Sequence, residues 1–213
     1  MTVNAQNDIM NSALVLLGQR PATSTTEQTN ASQFANDRYD TVRDFVLTGG
    51  NWNCATTRAS LSALSTAPAF GFAKQFALPA DFLRFVRFEE DARENISYRI
   101  EAVSDGSGGA TRVLLTDSVD AKIIYIFRLT EVAKMDELLK YTISTRLAYE
   151  ISLAVKGDIQ QTSFFKSISE EAMSLAHSVD ADQASVEVMT GSLWLDSRSS
   201  GDGSFRSIEN ATS

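Results

Sequence analysis

The sequence predicts an α+β protein, mainly α-helical, in which a small antiparallel β-sheet lies between two pairs of amphipathic helices. Apolar residues recur at helical spacing at both ends of the segment 1–182, whereas they alternate with a period of two between about residues 83 and 129. Residues 183–213 are mostly polar and predict an extended tail. We therefore expect a helix bundle, a β-sheet lobe and a C-terminal tail.

The first two helices are expected over residues 7–17 and 31–47. The apolar face of the first carries Ile9, Ala13, Leu16 and Leu17. Gly18 and Pro21 end it. The apolar face of the second carries Phe34, Val42, Phe45 and Val46, with Tyr39 at its edge. The pair Gly49 and Gly50 then predicts a left-handed C-cap.

Large aromatic residues crowd the stretch 51–88, where Pro68 and Pro79 exclude a long regular element. These aromatic residues are Trp52, Phe70, Phe72, Phe76, Phe82, Phe85 and Phe88. We expect this irregular stretch to wrap around the helical core and fill it.

A single small antiparallel sheet is expected next in the chain. Its strands are predicted at residues 83–88, 96–101, 112–116 and 122–127. Turn residues separate them at 91–95, 104–109 and 117–120. The DGSGG run at 105–109 predicts a hairpin tip and is no phosphate-binding loop, because it lacks the lysine and opens no helix.

Helical spacing returns in two long segments after residue 133. The stripe of the first, which ends at Gly157, comprises Met135, Leu138, Leu139, Thr142, Ile143, Leu147, Ile151 and Val155. The stripe of the second comprises Phe164, Phe165, Ile168, Ala172, Leu175, Ala176 and Val179. We therefore predict one domain over residues 1–182 and a tail over residues 183–213. Within the domain, a helical lobe (1–60 and 133–182) encloses an aromatic wrap and β lobe (61–132).

The charge balance argues against a nucleic-acid clamp. The chain has 213 residues, of which 27 are acidic and 19 basic, and its net charge is −8. A grip on a phosphate backbone needs clustered Lys and Arg. No apolar run is long enough for a membrane span, and the N-terminus lacks the features of a signal peptide, so we expect a soluble protein made in a cytoplasm.

The single histidine and the single cysteine leave little room for catalysis. His177 has no identifiable nucleophile partner, and we expect it at the boundary of its helix. Cys54 is expected to be a buried small apolar residue, since nothing in the sequence marks it as a reactive thiol. One His and one Cys also exclude a His/Cys zinc site.

Two acidic clusters, Glu89-Glu90-Asp91 and Glu170-Glu171, raise the possibility of a hydrolase. Glycoside cleavage needs two carboxylates at a defined separation, one of them in an apolar pocket. Neighbouring carboxylates are more often solvated charges. We therefore predict no catalytic, cofactor-binding or metal-binding residues.

The tail contains one apolar triplet, Leu193-Trp194-Leu195. Its polar surroundings offer no local core, so the triplet either folds back on its own domain or anchors a partner. Buried aromatic residues dominate the energetics of interfaces. We predict that these three residues bind a partner.

Three motifs occur in the middle of the chain. They are Trp52-Asn53-Cys54-Ala55 with Arg58, Ala67-Pro68 with Phe70-Gly71-Phe72-Ala73, and Leu78-Pro79-Ala80-Asp81 with Leu83-Arg84. In this combination they resemble the tail tubular protein A family, the head-to-tail adaptor subunits of short-tailed bacteriophages. The resemblance extends upstream to residues 13–18 and 38–44 and covers roughly residues 5–182. Gly50 departs from it, because the family commonly has proline there.

The resemblance implies a structural virion protein and no enzyme. It implies a dodecameric ring of identical subunits that lies below the capsid portal protein and above the tail nozzle protein. DNA passes through such a ring during packaging and ejection without sequence-specific binding, and an acidic lumen would keep it from sticking. The implied location is the virion tail, after assembly in the cytoplasm of a bacterial host. No cofactor and no membrane anchor are implied.

The same picture assigns roles to parts of the chain. The helical lobe is expected to build the ring by packing side to side, the sheet to project toward the next component, and the tail to become ordered on the portal or an adjacent subunit. The motif residues are expected to be scaffold. Arg58 and Arg84 are expected to pair with acids such as Asp40, Asp44 or Asp81, and Asp81 to cap a turn after Leu78-Pro79.

Two other functions stay open at this point. The first is a tail-associated peptidoglycan hydrolase, for which Glu89, Glu90 and Glu171 are the acids to test. The second is a general helical protein-binding module of the host, which would stay monomeric and bind no portal.

Overall fold

The computed structural model describes residues 5–23, 29–89, 96–104 and 109–182, and it confirms the α+β fold. The helices of this part of the chain are α1 (Ala5–Leu16), α2 (Asn30–Gly49), α3 (Glu137–Lys156) and α4 (Ile159–Asp182). The strands are β1 (Thr56–Leu61), β2 (Lys74–Ala77), β3 (Phe82–Phe88), β4 (Tyr98–Ser104), β5 (Ala110–Thr116) and β6 (Ala121–Phe127). The predicted turn at 91–95, most of the predicted hairpin tip (105–108) and the tail lie outside the described residues.

Helix α3 is the centre of the helical lobe and packs against α1, α2 and α4. Because it is surrounded, its polar residues must find partners nearby, and its buried hydroxyls donate to carbonyls one turn back. Thr142 donates to Leu138 O at 2.7 Å and Ser152 to Tyr149 O at 2.7 Å. The larger members of the helical core are Ile9, Met10, Leu14, Leu17, Tyr39, Val42, Val46, Leu47, Trp52, Ile126, Leu139, Ile143, Leu147 and Ile151.

The buried face of α2 differs from the prediction. Tyr39 is 2% exposed and lies in the core, whereas Phe34 and Phe45 are 40% and 52% exposed. The prediction was wrong for these three side chains because α2 packs against both α1 and α3. Its buried face therefore carries Ala35, Tyr39, Val42 and Val46.

The ends of the helices show two different uses of glycine. Gly157 ends α3 in the left-handed conformation, with φ +68°, and its N–H donates to Leu153 O. The left-handed cap predicted at the end of α2 is wrong, because Gly50 has φ −127°. At the other end of α2, Thr29 and Ser32 form a capping box, in which the Thr29 hydroxyl accepts from Ser32 N at 3.3 Å.

The β lobe contains two three-stranded antiparallel sheets instead of the one predicted. Sheet 1 has the order β1-β6-β3, and sheet 2 has the order β2-β5-β4. The sequence prediction missed β1 and β2, which come from the stretch judged irregular. Both are short, and in β1 the sequence TTRASL offers little apolar alternation.

The aromatic residues do not wrap the helical core as predicted. Trp52 does lie in that core, but the aromatic side chains of β2 and β3 form a second core between the two sheets. This second core contains Phe76, Phe82, Phe85, Phe88, Leu114, Ala121, Ile123 and Tyr125. Phe70 is 88% exposed and belongs to neither.

Sheet 1 joins the two cores. Its central strand β6 directs Ile123 and Tyr125 into the second core and Ile126 into the helical core, as the alternation of a strand requires. An ion pair between Arg128 Nε and Asp44 Oδ2, at 2.8 Å, ties the end of β6 to α2. Among the described residues, no helix is both long and apolar enough to cross a bilayer.

Candidate functional site

The first motif forms a junction where α2, β1, β3 and α4 meet. Trp52 is 2% exposed, and its indole N–H donates to Val46 O at 2.9 Å. Its ring lies 5.2 Å from the ring of His177 on α4. A Cβ on Gly50 would come within 2.6 Å of His177 Nε2 and 2.8 Å of Trp52 Nε1. Glycine is therefore needed there for space. We call this cluster the Trp52 junction.

Asn53 fastens the end of α4 to this junction. Its backbone N–H donates to Asp180 Oδ1 at 3.0 Å, and its side-chain amide donates to Asp180 O at 2.9 Å. On the other side, the Thr56 hydroxyl donates to Trp52 O at 2.6 Å. Trp52 and Asn53 thus fix the end of α4 and the start of β1 relative to each other.

The two motif arginines do not make the predicted ion pairs. Arg84 donates to Gly50 O and to Asn51 Oδ1, so it braces the Trp52 junction from β3. Arg58 is exposed on β1. Within the described part of the chain neither arginine pairs with an acid; Asp40 and Asp44 bind Arg43 instead, at 2.7 and 2.8 Å.

The remaining motif residues shape the entry to sheet 2. Gly71 has φ +89°, a conformation that favours glycine, and two residues later Ala73 N–H donates to Asp117 Oδ1 at 2.8 Å. Phe72 is half-buried beside it. Leu78 packs against the second core, and Phe82 N–H donates to Pro79 O at 3.1 Å across a turn.

Asp81 does not cap that turn with its side chain. Its carboxylate instead accepts a hydrogen bond from the Tyr125 hydroxyl at 3.2 Å. Burial, together with this carboxylate, raises the pKa of Tyr125 to about 12. The third motif therefore also contacts residues of its own chain, through the hydrogen bond between Asp81 and Tyr125.

Several titratable groups surround the junction, namely Cys54, Asp136, His177 and Asp180. Burial is the main reason that the pKa of the Cys54 thiol is raised to about 11, and the carboxylates of Asp136 and Asp180 raise it as well. A catalytic cysteine needs the opposite shift, since the thiolate is the nucleophile. Burial also raises the pKa of Asp180, against the effect of the Asn53 N–H. The raised pKa of Cys54 is expected of a structural residue and is the opposite of what a catalytic nucleophile requires.

The candidate hydrolase acids are not brought together. Glu89 is exposed at the end of β3, where its carboxylate lies 3.9 Å from Lys122 Nζ. Glu171 is exposed on α4, and Glu90 lies outside the described residues. A general acid needs apolar surroundings that neither exposed carboxylate has. No group of three His, Cys, Asp or Glu side chains in the described ranges could hold a metal ion.

One apolar surface on α4 is a feature that the sequence prediction missed. Phe164 and Leu175, both expected in the buried stripe, are 60% and 54% exposed. Ile168 and Val179 are half-buried and share their face of the helix, because they lie 4 and 15 residues after Phe164. We call these four residues the α4 stripe.

The direction of the stripe follows from its neighbours on α4. Met173 and His177 contact the end of α2, near Gly49 and Gly50. Leu175 comes halfway between them in sequence, so it points to nearly the opposite side of the helix. The α4 stripe therefore faces away from α2. The sequence did hint at this exposed surface in the pairs Phe164/Phe165 and Leu175/Ala176. Adjacent residues point about 100° apart on a helix, so one partner helix does not cover both members of a pair equally.

The predicted partner-binding triplet Leu193, Trp194 and Leu195 lies outside the described residues. Comparison with protein-family models gives no match for this chain, and comparison with curated proteins gives no significant match either.

Proposed function

We propose that the chain is a structural subunit of a ring that connects a phage capsid portal to the tail nozzle. In this function the protein supplies surfaces and no chemistry. The ring encloses part of the channel through which DNA is packaged, retained and ejected. The support comes from three features: the motif resemblance, the structural use of the motif residues, and one exposed apolar surface in the described part of the chain.

The observation that carries the proposal is the α4 stripe. Large apolar side chains aligned on the outside of a monomer mark a contact surface more often than chance exposure. Phe164 and Leu175 are each more than half exposed, and both belong to the outermost helix of the lobe. A ring needs such a surface on every subunit.

Ring closure requires two different patches on each subunit, because neighbours meet head to tail. The α4 stripe supplies one of them. A second surface lies where α2 meets α3: Phe45 is 52% exposed, and the guanidinium of the half-buried Arg146 lies 4.3 Å from its ring. We propose that this surface is the second patch.

The motif residues support the proposal in a second way. Trp52, Asn53 and Arg84 all bind groups inside the chain and hold the two lobes in one arrangement. A ring subunit needs this rigidity, because an angular error between lobes would be repeated at every interface. The motif is thus expected to be required for assembly without contacting a partner.

A matched pair of α4 variants tests the proposal. Leu175→Glu places a charge in the stripe, and Ser174→Glu places the same charge on a neighbouring exposed position outside it. We expect Leu175→Glu to weaken assembly on portal rings of the same phage, measured by co-elution in size-exclusion chromatography. Loss of an interface hot spot costs about 2 kcal/mol or more, roughly thirtyfold in Kd.

Ser174→Glu should co-elute like the unmodified chain. If the unmodified chain fails to bind portal rings, the adaptor proposal is wrong. If Leu175→Glu binds as well as Ser174→Glu, the α4 stripe is not the contact surface.

A further inference from the structure

The α4 stripe leaves apolar side chains in water whenever the subunit is free. Phe164 and Leu175 are exposed by 60% and 54%, whereas Ile168, between them on the same face, packs partly against the helical core. Covering such a surface is favourable, at about 25 cal/mol for each Å² of apolar area. Before any partner binds, this surface can be covered only by an apolar group that is already within reach.

The chain itself carries such a group close by. Helix α4 ends at Asp182, three residues after the last member of the stripe, and Leu193-Trp194-Leu195 follows after residues 183–192. We propose that Leu193-Trp194-Leu195 binds the α4 stripe of its own chain in the free subunit. This contact goes beyond the ring function, and it rests on that function only for what later displaces the tail.

The length of the connecting segment permits this contact. Ten extended residues span up to roughly 35 Å. The far end of the stripe, Phe164, lies 18 residues before Asp182, which corresponds to about 27 Å along the helix. The triplet can therefore reach any part of the stripe.

Tethering makes even a weak contact effective. Because ten residues join the triplet to α4, their contact is intramolecular, with an effective concentration on the order of millimolar, so a millimolar intrinsic affinity already populates the covered state. A partner that offers a larger apolar surface can still displace it. The tail would thus cover the stripe of free subunits and leave it when a neighbour binds.

The fluorescence of Trp194 tests this proposal in the full-length chain. The only other tryptophan, Trp52, is 2% exposed, so it contributes a constant and shielded signal. Subtracting the spectrum of a Trp194→Phe variant isolates the emission of Trp194. We expect that emission to be blue-shifted and several-fold less quenched by acrylamide than a solvated indole.

The same α4 variants show where Trp194 lies. In Leu175→Glu, quenching of Trp194 should rise several-fold toward that of a solvated indole, whereas in Ser174→Glu it should stay low. Urea unfolding curves that coincide for the two variants confirm that the fold is intact. Quenching of a fully solvated indole in the unmodified chain, or shielding that Leu175→Glu leaves unchanged, would overturn the proposal.

Dilution separates the tail of the same chain from the tail of a second copy. Contact within one chain predicts shielding that is independent of protein concentration, together with a monomeric mass in light scattering. Shielding that disappears on dilution would assign the contact to a second copy and overturn the proposal. Portal co-elution is measured separately, so a failure of the ring function and a failure of this tail contact are distinguishable.

Discussion

At the scale of single residues, the packing of the Trp52 junction requires a residue without a side chain at position 50. Gly50 has an ordinary extended backbone with φ −127°, yet a Cβ there would overlap His177 Nε2 and the Trp52 indole. Gly49, its neighbour, would place a Cβ no closer than 3.7 Å to Met173 Cε. The two adjacent glycines therefore differ in the space around them.

This difference gives a matched prediction. Gly50→Ala should lower the free energy of unfolding by about 1–3 kcal/mol, as overpacking does. Gly49→Ala should leave it unchanged or raise it by up to about 1 kcal/mol, because alanine favours the helix. Urea unfolding at neutral pH measures both. Equal stability of the two variants would show that the Trp52 junction is not tightly packed.

At the scale of secondary-structure elements, Gly157 has the opposite role. It has φ +68° at the end of α3, and nothing lies within 4 Å of a Cβ built there. Gly157→Ala should therefore cost about 1–2 kcal/mol from backbone strain alone. Gly157→Asn should cost less, since asparagine tolerates this conformation. If alanine proves as stable as glycine in urea unfolding, α3 does not end in the left-handed cap.

The comparison of prediction and structure is also clearest for elements. All four helices were predicted because their apolar residues recur over three or more turns, and Gly157 was recognised as a cap. Strands β3 to β6 were predicted to within a few residues. Strands β1 and β2 were missed, because Thr56–Leu61 gains its regularity from pairing with β6, which a local pattern does not contain.

The candidate site was predicted only in part. The motifs predicted a scaffold role for residues 52–58 and 78–84, but the partners of Arg84 are a carbonyl and an amide from residues 50 and 51, distant in sequence from β3. The α4 stripe was missed because burial depends on the number of neighbouring helices. Helix α4 has one principal partner, α3, so part of its apolar surface stays exposed.

At the scale of the whole molecule, the proposed ring function is consistent with the charge of the chain and with the way its two cores are joined. The chain carries a net charge of −8, which suits a wall along which DNA passes without binding. Sheet 1 joins the two cores, and the α4 stripe leaves Phe164 and Leu175 exposed for the proposed contact. These properties become useful only when many copies meet.

Electron microscopy of the chain mixed with portal rings of the same phage tests the central claim most directly. We expect an added ring of density on one face of the portal, with the helical lobes in contact around it. Leu175→Glu should reduce the number of decorated portals, and Ser174→Glu should not. Portals that stay bare while the protein remains free in solution would contradict the claim that this chain is a head-to-tail adaptor.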